Sequence, residues 1–152
     1  MRIIVIVVIA GIIAAAAFMV IKNNRTPEHL GAENGSLAPL PSTPNAVSSQ
    51  ADTEHRGYIE PFTLQNGTES LENIKAIIRA DEQAEIVSAD DRYVHAVYAS
   101  NVFKFKDDVE FYVNESENSI DVRSAARVGY SDMDVNRKRI EAIREAYQSK
   151  RE

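Results

Sequence analysis

VEFYVNESENSIDVR, residues 109–123, is the stretch that decides the fold of this chain. In its first part, residues 109–113, apolar side chains alternate with Glu110 and Tyr112, which is the two-residue period of a strand with one buried face. A polar break at residues 115–118 separates this part from a second apolar segment at 120–123. Because so short a connection joins neighbouring antiparallel strands, the stretch predicts a β-hairpin.

Short apolar segments upstream of the hairpin predict further strands in the same sheet. They cover residues 86–87, 93–99 and 102–105, and acidic pairs such as Asp90 and Asp91 separate them. The short connections favour a meander, in which each strand pairs with the next one along the chain. We therefore expect a small antiparallel sheet of four to five strands.

Two segments with helical spacing flank the predicted strands. The upstream helix ends near Asp81, and its apolar stripe consists of Leu71, Ile74, Ile77 and Ile78. The downstream helix starts at a capping box formed by Ser131 and Asp134. Its stripe consists of Met133, Ile140, Ile143 and Tyr147. Both helices should cover the dry side of the sheet, which makes the predicted fold class α+β.

The N-terminal segment is apolar enough to enter a membrane. Residues 3–21 are 19 consecutive residues without a charge, and as a helix they would extend roughly 28 Å, close to the thickness of a bilayer core. We expect a transmembrane anchor over residues 1–22. The alternative is a cleaved signal peptide, with Arg2 before the apolar run and small residues at 14–17 as the cleavage region. The run continues to Lys22, which favours the retained anchor.

Residues 23–43 differ in composition from what precedes and follows them. They are rich in proline, glycine, serine and asparagine and carry few large apolar side chains, which predicts a flexible linker with a reach of roughly 25 Å. The folded domain is expected over residues 44–148, followed by a short tail at 149–152. The sequence thus predicts one domain on a membrane tether.

Charge and cysteine content exclude several classes of function. The chain has no cysteine, so a disulfide framework, a zinc-thiolate site and a thiol nucleophile are all excluded. Residues 52–121 carry 16 acidic and six basic side chains, whereas residues 123–152 carry eight basic and five acidic ones. We expect a basic C-terminal helix to lie on or near the acidic body, and we expect no nucleic-acid partner.

Three blocks of sequence carry a resemblance to a known family. They are PNAVSS at 44–49, FKDDVEF at 105–111, and RSAARVGYSD at 123–132, which continues to NRKR at 136–139. Together they resemble the domain of unknown function family 1499, over residues 44–144. The resemblance implies a bacterial domain behind an N-terminal membrane segment, with no established biochemical activity. The chain departs from the family pattern at Ala46, where a cysteine is usual, and at Asp134, where a glycine is common.

With that family context, and because the N-terminal tail is very short, we expect a single pass through the bacterial inner membrane with the domain in the periplasm. The candidate contact surface is a group of cationic and hydroxyl donors around one loop and the start of the last helix, where anions are favoured. Its members are Arg123, Ser124, Arg127, Tyr130, Ser131, Asn136, Arg137 and Arg139. A phosphate, carboxylate, lipid headgroup or protein partner could bind there. Alternatively, the same arginines pair with the excess acids of the sheet.

Asn136 lies within the apolar stripe of the last helix, so it either ties that helix to the loop at residues 127–130 or lines a pocket. Three carboxylates, Asp107, Asp108 and Glu110, are weak candidates for Ca²⁺ or Mg²⁺ ligands, and an acidic turn explains them as well.

The main functional hypothesis is a non-catalytic binding module near the membrane, with no cofactor. A hydrolase of anionic substrates that uses Asp107, Asp108 or Asp132 is one alternative, and a carrier of an apolar or lipid ligand is another. His95 is expected to be a packed residue, because no nucleophile motif accompanies it.

Overall fold

The computed structural model describes residues 1–65 and 67–150, and it confirms the α+β class. The predicted tail at 149–152 therefore lies partly outside the described residues. The elements in chain order are α1 (Arg2–Asn24), β1 (Ala46–Ser48), β2 (Phe62–Thr63), α2 (Gly67–Arg79), β3 (Ala84–Ala89), β4 (Tyr93–Ala99), β5 (Lys106–Asn114), β6 (Ser119–Ala126) and α3 (Val135–Ser149).

All six strands belong to one antiparallel sheet. Strands β3 to β6 form the predicted meander, and the hairpin at its centre pairs Phe111 with Val122. Strands β1 and β2 both pair with the outer edge of β6, β1 at Arg123 to Ala125 and β2 at Ser119 and Ile120. Strands of two and three residues are too short for alternation to indicate them, so the sequence did not predict β1 or β2.

One face of the sheet, here called the helix face, packs against α2 and α3. Phe111 is fully buried there, and the ring of Phe62 lies edge-on to it at 5.5 Å between centroids. Phe62 contacts Tyr147 of α3 in the same way at 5.7 Å. The α2 and α3 side chains in this core are Leu71, Ile74, Ile78, Ile140, Ile143 and Tyr147. The prediction that both helices cover the dry side is confirmed.

The opposite face, here called the charged face, is also buried although its side chains are polar. It carries His95, Asp108, Glu110 and Arg123, each of which is at most 3% exposed. The cover is the chain between α1 and β1, whose contacts with the sheet are described below. The flexibility expected for residues 23–43 stays a prediction, but the segment lies against the domain.

Helix α1 is 23 residues long, and its apolar side chains project away from the rest of the protein. Among the described residues it is the one helix with the length and composition to cross a bilayer, and a signal sequence would have the same properties. None of its apolar part is buried, which excludes the role of a core helix. Only Asn23, at its C-terminal end, is buried.

One predicted strand is wrong. Residues 102–105 form part of the loop between β4 and β5, closed by a hydrogen bond from the Ser100 amide to the Phe105 carbonyl (2.9 Å). Lys104 has φ of +54°, a left-handed conformation that no strand contains. Val102 and Phe103 are 80% and 74% exposed. Alternation over four residues is therefore a poor indicator of a strand.

The predicted start of the last helix is also wrong in detail. The helix begins at Val135, because Met133 and Asp134 both have left-handed backbone conformations, with φ of +53° and +62°. Met133 is consequently 82% exposed rather than part of the buried stripe. The first turn is capped by Asp132, whose carboxylate accepts a hydrogen bond from the Asn136 amide (2.8 Å), and not by a Ser131 and Asp134 box.

Candidate functional site

A concavity of about 540 Å³ lies between the C-terminal end of α1, the segment that follows it, and β6. The side chains that line it are mostly cationic or neutral, with two carboxylates among them. They belong to Lys22, Arg25, Thr26, Pro27, Glu28, His29, Pro41, Thr43, Asp108, Arg123, Ala125, Ala126 and Arg127. Two remote parts of the chain therefore bring four guanidinium or ammonium groups to one opening.

Asn23 fixes the end of α1 at the rim of this concavity. Its side-chain amide donates to the Lys104 carbonyl (2.9 Å), and its side-chain oxygen accepts from the Lys106 amide (2.8 Å). Arg127 donates to the Asn23 carbonyl at 3.3 Å. Because these groups are buried or partly buried, each bond is worth about 1 kcal/mol, and leaving one of them unmade costs more.

Asp108 and Arg127 both line the concavity, and Asp108 also contacts His95. The Arg127 guanidinium donates two hydrogen bonds to the Asp108 carboxylate, at 2.8 and 2.7 Å, and His95 Nε2 lies 2.8 Å from the same carboxylate. Burial acts to raise the pKa of Asp108, but the hydrogen bonds from Arg127 and His95 outweigh it and hold that pKa below its usual value. Asp108 is therefore an ionised, fully satisfied group.

Glu110 and Arg123 form a second buried pair beside the first. They are cross-strand partners, and Arg123 donates to Glu110 at 3.1 Å. The other Glu110 oxygen accepts from the Gly31 amide (2.9 Å) and from the Tyr93 hydroxyl (2.7 Å). Burial first, and then the Glu110 charge, raise the pKa of Tyr93. His29 Nε2 lies 3.5 Å from Arg123 Nη2. Among the described residues, Arg123 Nε is the one buried side-chain nitrogen that has no hydrogen-bond partner.

The sequence matches a family described as "Protein of unknown function (DUF1499)" over residues 36–147. The chain belongs to the DUF1499 family. No curated protein matches the sequence. The matched residues run from β1 to within α3, so the DUF1499 part supplies the Asp108, Arg123 and Arg127 side of the concavity. Residues 22–29, which supply the other side, precede it.

Several of the predicted anion-site residues lie on the helix face of the DUF1499 sheet, away from this concavity. Ser124 donates a short hydrogen bond to the Asn136 side chain, whose amide nitrogen donates to the Asn45 carbonyl (3.1 Å) and to Asp132 (2.7 Å). Asn136 therefore ties α3 to β6 and to the chain before β1. It reaches the loop at residues 127–130 only through Asn45, which donates to the Gly129 carbonyl at 2.8 Å.

Arg139 and Asp107 form an ion pair at 2.7 Å on the same helix face. The Arg139 guanidinium also lies over the Tyr98 ring, 4.5 Å from its centroid, and donates to the Asn136 side chain at 2.8 Å. Burial raises the pKa of Asp107 despite the neighbouring Arg139 charge. This arginine is thus occupied by groups within the protein.

The remaining predicted residues are Arg137, Tyr130 and Ser131, which lie outside the concavity. Arg137 donates to the backbone carbonyls of Arg56 (2.8 Å) and Tyr58 (2.7 Å). Tyr130 is 75% exposed, and the Ser131 hydroxyl accepts from the Met133 amide at 3.3 Å. The eight predicted residues therefore do not form one cluster, and only Arg123 and Arg127 line the concavity beside α1.

The carboxylates considered as metal ligands or bases are separated as well. Asp107 lies on the helix face, whereas Asp108 and Glu110 lie on the charged face, and each of the three is bonded to an arginine. In residues 1–65 and 67–150 no three histidine, aspartate or glutamate side chains gather as metal ligands would. Asp132 is engaged with Asn136.

Sequence reasoning missed the residues that α1 and the following segment bring to the concavity, namely Lys22, Asn23, Arg25 and His29. The available signal was the group of cations directly after the apolar run. That signal is typical of any membrane segment and carries no information about which sheet face the chain then crosses.

Proposed function

We propose that this DUF1499 protein is a non-catalytic binding module held at a membrane by α1, and that it takes an anionic group in the concavity beside the helix end. The observation that carries the proposal is that Lys22 and Arg25 from α1 and its C-cap line the same opening as Arg123 and Arg127 from the sheet. Cations gathered at a membrane surface favour phosphate-bearing ligands, including lipid headgroups.

The pairing pattern leaves one cation of the concavity, Lys22, for an anionic ligand. Arg123 and Arg127 are neutralised by Glu110 and Asp108, and Arg25 pairs with the exposed Glu28. The Lys22 side chain makes no ion pair or hydrogen bond within the described residues, so its ammonium group is free to meet a ligand. An anion bound beside His29 would give the buried Arg123 Nε the hydrogen-bond acceptor that it lacks.

The proposed placement is a single pass through the bacterial inner membrane with the domain in the periplasm. Support comes from the apolar helix α1, whose apolar part is not buried. The domain then meets the outer leaflet of that membrane, whose headgroups would lie level with Lys22. The ligand could equally be a soluble phosphate ester, and the test below distinguishes the two sources.

The geometry favours binding over hydrolysis. Asp108 is 2% exposed and accepts three hydrogen bonds from His95 and Arg127, so its carboxylate is poorly placed to reach a water nucleophile and take its proton. Asp107 is similarly held by Arg139. A lipid carrier would need space between the sheet and the helices, where Phe62, Phe111 and Tyr147 instead pack edge to face.

The test is the melting temperature of the full-length protein in zwitterionic micelles. Inorganic phosphate and a short-chain phosphatidylglycerol are added separately, and a ligand at 100 times its Kd should stabilise the native state by about 2.7 kcal/mol. A rise with phosphatidylglycerol alone identifies a headgroup, and a rise with both identifies the phosphate. The proposal is refuted if neither anion raises the melting temperature.

Two matched double variants locate the effect. Lys22→Ala with Arg25→Ala removes two cations from the concavity and should abolish most of the rise. Lys138→Ala with Lys150→Ala removes two exposed cations from α3 and its C-cap and should leave the rise unchanged. Equal losses in both double variants would mean that net charge, rather than the concavity, attracts the anion.

A further inference from the structure

The loop between β4 and β5 exposes an apolar surface that nothing in the domain covers. Val102 and Phe103 are 80% and 74% exposed and Phe105 is 44% exposed, and the two phenylalanine rings stack at 5.5 Å between centroids. Exposed apolar patches of this kind mark contact surfaces, because water is a poor environment for adjacent aromatic rings.

The loop is built to hold these side chains outward. Besides the hydrogen bond between Ser100 and Phe105 described above, the Lys104 amide donates to the Ser100 carbonyl (3.1 Å), and the Phe105 amide donates to the Ser100 hydroxyl (3.0 Å). Three hydrogen bonds to one residue close the loop tightly. The apolar tip is therefore presented by a defined turn.

The position of the loop indicates what it contacts. Its Lys104 carbonyl accepts the hydrogen bond from Asn23, so the tip lies beside the end of α1, where an anchor helix would leave the bilayer. Lys104 is exposed, and Lys106 donates to the Asn24 side chain at 3.0 Å. Aromatic side chains flanked by lysines suit the interface between acyl chains and headgroups.

A second loop leaves the sheet at the same end and exposes two large apolar side chains. The Arg127 amide donates to the Lys106 carbonyl at 2.9 Å, which places the start of residues 127–134 next to the β4–β5 loop. Within that stretch Tyr130 and Met133 are 75% and 82% exposed. The membrane-proximal end of the sheet thus exposes apolar side chains from two loops, whereas the opposite turn at residues 115–118 has two glutamates.

We infer that Val102, Phe103 and Phe105 form a second membrane contact, which inserts into the interfacial region of the bilayer that holds α1. This inference rests on the membrane location in the proposed function, but it does not depend on the anion concavity. Two contacts, the helix and the loop, would fix the angle between the sheet and the bilayer plane.

The chain contains no tryptophan, so a single substituted tryptophan reports its own surroundings. Three full-length variants are reconstituted into phosphatidylcholine vesicles with a fraction of phosphatidylglycerol, in which some acyl chains are brominated near the headgroup. Phe103→Trp tests the loop and Phe18→Trp tests the apolar helix. Glu117→Trp is the aqueous control, since it is exposed at the far end of the nine-residue strand β5, about 30 Å away.

Phe103→Trp and Phe18→Trp should both be quenched by the bromine atoms, and Glu117→Trp should not. If Phe18→Trp is quenched while Phe103→Trp matches Glu117→Trp, the helix is in the bilayer but the loop is not, and the inference is overturned alone. If Phe18→Trp is not quenched, the membrane location and the inference are overturned together. If Phe103→Trp and Glu117→Trp are both quenched, and to the same degree, the inference is also overturned, because the loop would then be no closer to the bilayer than the opposite end of the sheet.

Discussion

Arg127→Ala is expected to be one of the most destabilising single substitutions outside the apolar core. It removes a guanidinium that is 5% exposed and donates two hydrogen bonds, at 2.8 and 2.7 Å, to a carboxylate that is 3% exposed. Asp108 would keep only His95 as a side-chain partner. Removing one member of a buried pair typically costs about 3–5 kcal/mol, because the other charge stays buried without compensation.

The cost should depend on pH in a predictable direction. In the native protein the pKa of Asp108 is lowered from 3.8, because hydrogen bonds from Arg127 and His95 outweigh burial. A lowered folded-state pKa contributes stability that is present above pH about 4 and is lost as the pH falls below it. Without Arg127, burial dominates and raises the pKa of Asp108 in the variant. The difference in unfolding free energy between the variant and the unsubstituted protein should therefore shrink from pH 7 to pH 3.5.

The assay is urea unfolding of the full-length protein in micelles, followed by tyrosine fluorescence at both pH values. Arg25→Ala is the control, since it breaks an exposed pair with Glu28 and should cost less than about 1 kcal/mol. A loss below 1 kcal/mol for Arg127→Ala at pH 7, or a loss that is the same at pH 3.5, would refute the reasoning about this pair.

Three further substitutions can be tested in the same unfolding assay. Asn23→Ala should destabilise the protein by about 1–3 kcal/mol, because a buried amide and a carbonyl of the β4–β5 loop lose their partner, whereas Asn24→Ala at an exposed site should change little. Ile140→Ala should cost about 2–5 kcal/mol at a fully buried site, and Met133→Ala, which is 82% exposed, less than about 0.5 kcal/mol. Burial, followed by the Asp81 charge, raises the pKa of Tyr98 to about 12. Stability should therefore fall as the pH rises from 10 to 12, and Tyr98→Phe should flatten that decline.

The fold was largely predictable because its central strands have strong local patterns. The alternation at residues 109–113 correctly placed Phe111 towards the helices and Glu110 away from them. Helical spacing likewise identified Ile140, Ile143 and Tyr147 as core residues. The error at residues 102–105 has a physical cause, since a largely exposed apolar loop can have the same composition as a strand.

The site was less predictable, because sequence proximity does not determine which face of a sheet a side chain joins. Arg123 and Ser124 are adjacent in β6, yet one pairs with Glu110 on the charged face and the other bonds to Asn136 on the helix face. The expectation that a basic C-terminal helix meets the acidic body agrees with one pair of α3, Arg139 with Asp107. The pairs of Arg123 with Glu110 and of Arg127 with Asp108 come instead from β6 and the residue that follows it.

The cover of the charged face could not be deduced from composition. Glu110 is reached by the backbone amide of Gly31, and a backbone donor leaves no signal in the side-chain sequence. Leu37 is 5% exposed, and its own amide donates to Gln50 at 2.7 Å. A segment rich in glycine and proline therefore covers a face of the sheet, although nothing in its residue types distinguishes it from a free tether.

The contact between Gly31 and Glu110 matters for producing this protein without helix α1. Trimming at residue 44, where the composition changes, or at residue 36, where the family match starts, would remove Gly31 and leave the buried Glu110 side chain with one hydrogen bond fewer. A recombinant fragment that begins near residue 22 keeps Asn23, Gly31 and Leu37. It therefore keeps the segment that covers the charged face of the sheet.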